Sequence, residues 1–567
     1  MSGRALGALA AVVVLATAGP GFAQPANDCG DPYWQASLRC LLSPGSVPQP
    51  VPPPPADPSQ IKEYTQFHLL SDFGVRCVDG TRPVLYVDPA ASGPSNDWLI
   101  TFTGGAICRA EDSDQNGSYE DGQFCLDRYF GGEAGSMGTA TDPAMKQLGN
   151  TPATSEGILK PNPALNPVFA EYNRVRVEKC AWDHHNGRVT HVGLGALDPS
   201  NEPVTYTLFQ HGKLIAHLAL DELRGDFGTG EGISYTTWVE QGGQVVEQLE
   251  TLPALERAET VVVMAHSGSA HGLLHNIDGF ADRLESWADF AGDVRVVLDA
   301  SFQLAAENEV SFDPGQSGDL YDHIYTGNTS EAGAYDGELY WDGSYAAEYE
   351  AWMADPGDPL EAMFDASCVG VHEGAGEAWK CRDRHHVLFN HLTTPFLVRE
   401  DFSDPGSSHT LDGQGHVVSW GEIASYPHCG LLGMDPCPPL IPVGNPSPYR
   451  ARSLQQATTV SNDLATRSEL ALGVDASGPA PSNFFWMPDC GFHNGAYQDE
   501  TFYIQEIIGP SPASTYRELV EAFVAAPRTG ATGTLIDGLD GVSACRGSIF
   551  LDGFESGDTS GWSWVVE

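Results

Sequence analysis

The sequence predicts an α/β fold: a mostly parallel central sheet flanked by helices, with long disulfide-bearing loop insertions. Three observations predict it. Short β-branched runs alternate with segments apolar at helical spacing, the pattern of strands joined by crossover helices. The strongest run, Val261-Val262-Val263-Met264-Ala265, is apolar throughout, as a buried strand is. Twelve cysteines, none in a C-x-x-C pair, are spread over 567 residues, which fits disulfides and not zinc.

Taken in order, the chain opens with a basic residue, Arg4, an Ala/Val/Leu core and Gly21-Phe22-Ala23, the pattern of a secretory signal peptide over 1–23. The apolar core is shorter than the ~20 residues a membrane span needs. Residues 24–60 read as a leader with a small Cys29–Cys40 loop and a polyproline spacer, Pro48 to Pro55. From 61 to 545 the chain reads as one large globular domain without internal repeats. Val84–Val87, Trp98–Phe102, Val175–Val177, Val261–Ala265, Val294–Leu298 and Phe396–Val398 are its expected strands, and Leu214–Leu223 an amphipathic helix. The acidic stretch 546–567 is either a terminal sorting tag or a disordered tail.

Sequence neighbours pair as Cys29–Cys40, Cys108–Cys125, Cys368–Cys381 and Cys429–Cys437, leaving Cys77, Cys180, Cys490 and Cys545 unassigned. The formal charge of −48 argues against nucleic acid and anionic membranes as partners. It also counts against tight binding of a bare polyanionic polysaccharide. The expected protein is exported to the exterior, periplasm or cell surface, spans no membrane and acts as a monomer.

After Ala265 come four small or polar residues, and then Leu273, Leu274, Ile277 and Phe280 at helical spacing. Strand, sharp turn and helix with a serine at the tip form a nucleophile elbow, which makes the fold α/β-hydrolase-like. The reading centres the elbow on Ser269, with Ser267 and His271 where the Gly-x-Ser-x-Gly pattern has glycine. Thr103-Gly104-Gly105-Ala106-Ile107-Cys108 follows an earlier strand, and a turn of this kind exposes backbone N–H groups. Gly105, Ala106 and Ala270, the residue after Ser269, are therefore the candidate oxyanion-hole donors.

These segments, in this order, resemble the pectin acetylesterase/Notum family of secreted carboxylesterases. Gly104–Cys108 is similar to the family's Gly-Gly-Gly-Trp-Cys. Gly157-Ile158-Leu159, Asn166-Pro167-Val168-Phe169, Tyr172-Asn173-Arg174-Val175 and Cys180 follow in family order. Asp183-His184-His185-Asn186-Gly187 resembles the bacterial branch. Ser269-Ala270 with Gly272-Leu273-Leu274 and Asp278 resembles the elbow, and Asp299-Ala300-Ser301-Phe302 the family's Asp-Ala-Gly-Phe. The resemblance runs from about Cys77 to about His493.

The resemblance implies a catalytic triad of Ser269, Asp404 and His493. Asp404 follows the Thr394–Val398 strand, and His493 lies in Asp489-Cys490-Gly491-Phe492-His493. Chain order Ser, Asp, His is that of α/β-hydrolases. Asp401 and Asp299, also near strand ends, compete for the acid role. His271, Ile107, Trp182 and Asp183 are candidate pocket residues. His271 and Ile107 replace the family's glycine and tryptophan, which bears on substrate identity more than on reaction class. No cofactor is required.

One insertion, Asp112-Ser113-Asp114-Gln115-Asn116-Gly117-Ser118, has the spacing of a calcium loop, with Asp112, Asp114, Asn116 and Ser118 as ligands to a structural calcium. Its twelfth position is Gln123 in place of glutamate. His184-His185 and His385-His386 lack a third metal ligand. The expected activity is ester hydrolysis, with O-acetyl groups on a polysaccharide as the leading substrate. A lipid deacylase, a short-chain esterase, or a binding protein on an inactive hydrolase scaffold are the alternatives.

Overall fold

The computed structural model describes residues 66–70, 74–104, 122–130, 157–198, 200–225, 232–300, 365–372, 381, 387–388, 390–400, 482–487, 495–497, 502, 515–529 and 532–536. Two short strand pairs, 410–411 with 417–418 and 549–550 with 564–565, are also described. The expected signal peptide and leader, over 1–60, lie outside these residues.

Eleven strands form one sheet. In chain order they are β1 (Gln66–Leu69), β2 (Val84–Asp88), β3 (Asp97–Phe102), β4 (Asn173–Val177), β7 (Ile233–Gln241), β8 (Gln244–Leu252), β9 (Thr260–His266), β10 (Asp293–Asp299), β11 (Phe396–Arg399), β14 (Asn483–Met487) and β15 (Thr532–Ile536). The remaining labels belong to a hairpin, β5 (Val189–Leu197) with β6 (Pro203–Gln210), and to the short pairs β12 (Thr410–Leu411) with β13 (Val417–Val418) and β16 (Ile549–Phe550) with β17 (Trp564–Val565).

The sheet order is β15-β14-β11-β10-β9-β3-β4-β2-β1-β7-β8. From β15 to β4 all neighbours are parallel, and from β4 to β8 each pair is antiparallel. The expected mostly parallel sheet is present. The β7–β8 hairpin extends the sheet beyond the expected strands. Its turn is Gly242-Gly243, both at positive φ (61° and 81°), the conformation a two-residue hairpin turn needs.

The helices are α1 (Gln123–Phe130), α2 (Gly212–Leu223), α3 (Ser267–Leu273), α4 (Ile277–Glu285), α5 (Ala366–His372) and α6 (Tyr516–Ala525). β9 explains the layering. Val261, Val263 and Ala265 belong to the core that holds α2, α3 and α4, while Val262 and Met264 belong to the core that holds α6. Alternate residues of a strand face opposite sides, so a strand covered on both faces must be apolar at every position. Among the described residues, no helix is long and apolar enough to cross a membrane.

Cys77–Cys180 and Cys368–Cys381 are disulfides, and Cys125 is disulfide-bonded to a residue outside the described set. Cys368–Cys381 agrees with the sequence expectation. Cys77–Cys180 joins two cysteines that spacing left unassigned, because only the sheet brings the segments before β2 and after β4 together.

Candidate active site

β9 delivers its last residue, His266, to the carboxyl edge of the parallel sheet. There it is in register with Asp299 of β10, which is in register with Arg399 of β11, which in turn pairs with Trp486 of β14. On the other side Ala265 pairs with Phe102, so the chain leaving β3 at Thr103 and Gly104 emerges beside the end of β9. In open α/β sheets ligand sites gather at this edge.

The turn from β9 into α3 is made at Ser267. His266 is extended (φ −133°, ψ 153°), Ser267 has φ +53°, and the helix begins at once. A positive φ at a residue with a Cβ is costly and persists where the surroundings enforce it. It is the strained strand-to-helix geometry of a nucleophile elbow. Ser267 is partly exposed, whereas Ser269 is 0% exposed. The Ser269 hydroxyl points inward and donates to the Thr103 carbonyl.

Gly104 closes onto this turn. A Cβ at Gly104 would lie 2.8 Å from Ser267 Cβ and 2.7 Å from the His266 carbonyl oxygen, so only glycine brings the backbone this near. The Gly104 N–H donates to His266 Nε2 at 3.1 Å. Thr103 is fixed as well, since its N–H donates to Val177 O at 3.1 Å and its Oγ1 accepts from the Lys179 N–H at 2.9 Å.

The predicted site residues fall into three groups. Ser269 and Ala270 are fully buried within α3. His271 lies on α3, but its side chain is outside the described residues, as are Gly105, Ala106, Ile107, Asp401, Asp404 and His493. In the sequence Asp401 and Asp404 follow β11, and His493 follows β14. The calcium-loop residues Asp112, Asp114, Asn116 and Ser118 also lie outside the described set. Gln123, its twelfth position, starts α1, and its side-chain oxygen accepts from the Leu197 N–H at 2.7 Å.

Asp299, the alternative acid, is bound on both oxygens. It pairs with Arg399 at 2.9 Å, both side chains 0% exposed, and accepts from the Ala496 N–H at 2.9 Å. Trp182 and Asp183, the other candidate pocket residues, are buried. Trp182 is packed with Val78, Cys125, Leu126 and Tyr206. Asp183 is fully buried and receives the N–H groups of Gly212 at 2.6 Å and His185 at 3.0 Å. Burial pushes its carboxyl up to about 6, against the pull of those backbone donors. These residues form the seat of the elbow helix: Trp182, His184 and His185 adopt positive φ (56°, 61° and 60°), and the His184 carbonyl presses on Gly272 of α3. Burial drives the His185 imidazole down to about 3, and its ring packs edge-on against Phe102.

Among the described residues Cys368, His372 and His391 cluster at metal-ligand distances. Cys368 is bonded to Cys381, so no thiolate is available and the set does not fit a metal. Sequence reasoning did not single out Ser267, the residue that makes the strained turn. A signal for it exists, because Ala265-His266-Ser267-Gly268-Ser269 is small-x-Ser-x-small, the elbow pattern with alanine and serine in the glycine places.

Residues 59–224 match the family model described as Pectinacetylesterase. That part holds the Gly104 turn and the Cys77–Cys180 bridge and ends before β9. The chain is 28% identical over 165 residues to the palmitoleoyl-protein carboxylesterase NOTUM of Schmidtea mediterranea, covering 29% of this chain and 25% of that protein. It is 25% identical over 150 residues to pectin acetylesterase 11 of Arabidopsis thaliana, covering 26% of this chain and 30% of that protein. The matches thus span between a quarter and a third of the length of these curated relatives. Among solved structures, the Wnt deacylase Notum from Drosophila is similar with a TM-score of 0.45 and 16% identity, over 83% of this chain and 96% of that one. The family model and the curated relatives support the resemblance to the pectin acetylesterase/Notum family.

Proposed function

We propose that this chain is an exported serine carboxylesterase of the pectin acetylesterase/Notum type, with Ser267 as its nucleophile. The observation that carries the reading is the positive φ of Ser267, a non-glycine residue at the end of a central parallel strand with the Gly104 turn against its Cβ. Ser269 is fully buried, and its hydroxyl is bonded to the Thr103 carbonyl.

Ser267 Oγ attacks the ester carbonyl while His493 takes its proton, and Asp404 orients His493, with Asp401 the alternative from the same segment. The N–H of Gly268, the residue after Ser267, and N–H groups of the Gly105–Ala106 turn receive the oxyanion. The alcohol leaves with the proton held on His493. Water, deprotonated by His493, then attacks the acyl-serine and releases the acid. No metal or organic cofactor enters this sequence.

The substrate we favour is an O-acetylated polysaccharide, as the name of the Arabidopsis relative indicates for that protein. The NOTUM relative, whose name specifies a palmitoleoyl-protein ester, makes a longer acyl group the second reading. The disulfides support an oxidising, extracytoplasmic compartment.

The test is p-nitrophenyl acetate turnover by wild type, Ser267→Ala and Ser269→Ala. Loss of the nucleophile should lower kcat by roughly 10⁴-fold or more, while Ser269→Ala costs about 1 kcal/mol of stability from its lost hydrogen bond and keeps turnover. Full activity in Ser267→Ala sinks the assignment, and an inactive, folded Ser269→Ala returns the role to Ser269. A wild type inert across p-nitrophenyl esters of increasing chain length would favour a binding protein on a hydrolase scaffold.

A further inference from the structure

We propose that His266 is a positioning residue that anchors the oxyanion turn to the nucleophile strand, an inference that rests on the esterase reading above. Three segments distant in sequence meet on its imidazole. His266 ends β9, directly before Ser267. Its Nε2 receives the Gly104 N–H at 3.1 Å. Its ring packs on Tyr497, with centroids 4.4 Å apart. Tyr497 is itself tied down, because the N–H of the preceding Ala496 donates to buried Asp299 at 2.9 Å.

The need for such an anchor follows from the turn. Gly104 has no side chain to restrain it. Donors that stabilise an oxyanion work because they are held in place before the charge develops. Gly104 lies too close to His266 and Ser267 for any Cβ, so packing of its own side chain is not available. The hydrogen bond to the imidazole supplies the restraint instead. An imidazole that accepts at Nε2 carries its hydrogen at Nδ1, so the anchor works in that tautomer. A second consequence concerns the donors. The Gly104 N–H is engaged with His266 and is not one of the oxyanion donors, which must come from the turn beyond it and from Gly268.

The experiment compares His266→Phe, which keeps a ring against Tyr497 and removes the acceptor, with His266→Gln, whose amide oxygen restores an acceptor. Two readouts are taken on the full chain: kcat and KM for p-nitrophenyl acetate, and hydrogen exchange of the peptide containing Gly104. His266→Phe should lower kcat about 10- to 100-fold with KM little changed, and exchange at Gly104 should quicken. His266→Gln should recover most of both. Unchanged exchange in His266→Phe overturns the anchor, and faster exchange with unchanged kcat overturns its use in catalysis. Equal losses in both variants would assign the effect to ring packing and overturn the acceptor role. Failure of the esterase reading is separately visible, as a wild type without turnover whose exchange pattern still responds to His266→Phe.

Discussion

Asp299 and Ser267 both sit at strand ends, and their surroundings give them opposite fates. Asp299 has no exposure and is bound by Arg399 and by the Ala496 N–H. Arg399 lies over the rings of Trp486 and Tyr516 at 5.4 and 5.3 Å, so the pair is enclosed by aromatic faces. Asp299→Asn removes the carboxylate charge that this buried guanidinium meets at 2.9 Å, which should cost about 3–5 kcal/mol. Urea denaturation checks it: a variant with wild-type stability but abolished turnover would restore Asp299 as the catalytic acid. Ser267, by contrast, keeps partial exposure at a positive φ. Its candidacy is half legible in the sequence, since Ala265 and Ser269 are small residues in the glycine places. Composition cannot choose between two serines two residues apart. The backbone dihedral and the inward hydrogen bond of Ser269 distinguish them.

At the scale of the element, α3 depends on how closely it seats on the loop after Cys180. A Cβ at Gly272 would lie 1.9 Å from the His184 carbonyl oxygen, and His184 is itself at φ +61°. Backbone already held in that region has little room to retreat, so Gly272→Ala should destabilise by about 3 kcal/mol or more. Gly279, on α4, supplies the comparison, because a methyl group there would meet nothing within 4 Å. Gly279→Ala should stabilise by about 0.5–1 kcal/mol through helix propensity and chain entropy. Paired thermal melts test the argument, and equal effects at the two sites would refute it. Strand identity is readable wherever a run is apolar, as in β3, β9, β10 and β11. The β7–β8 hairpin escapes that reading although Gly242-Gly243 marks its turn, because its strands are half exposed and lack a continuous apolar run.

For the whole molecule, the Cys77–Cys180 bridge is the longest described covalent constraint, with a sequence separation of 103. It ties the segment before β2 to the segment after β4, across the point where the sheet changes from parallel to antiparallel. Closing a loop of that length restricts the unfolded chain strongly, so Cys77→Ser with Cys180→Ser should cost about 3–5 kcal/mol. Cys368–Cys381 closes a short loop, with a separation of 13, and its removal should cost less on the same chain-entropy account. Urea midpoints of the two double variants order the effects, and the reverse order would refute the loop-length explanation.

The sequence alone determined the α/β class, the central strands, the order of the hydrolase segments and the reaction class to test. These are carried by local periodicity, small-residue turns and chain order. Tertiary structure decided which serine occupies the strained turn, that Asp299 is bound by Arg399, and that Trp182 and Asp183 support the elbow from beneath. It also joined Cys77 to Cys180 and brought the His266 imidazole to Gly104. Each of these depends on contacts between segments tens to hundreds of residues apart, and the register of the parallel sheet sets those contacts.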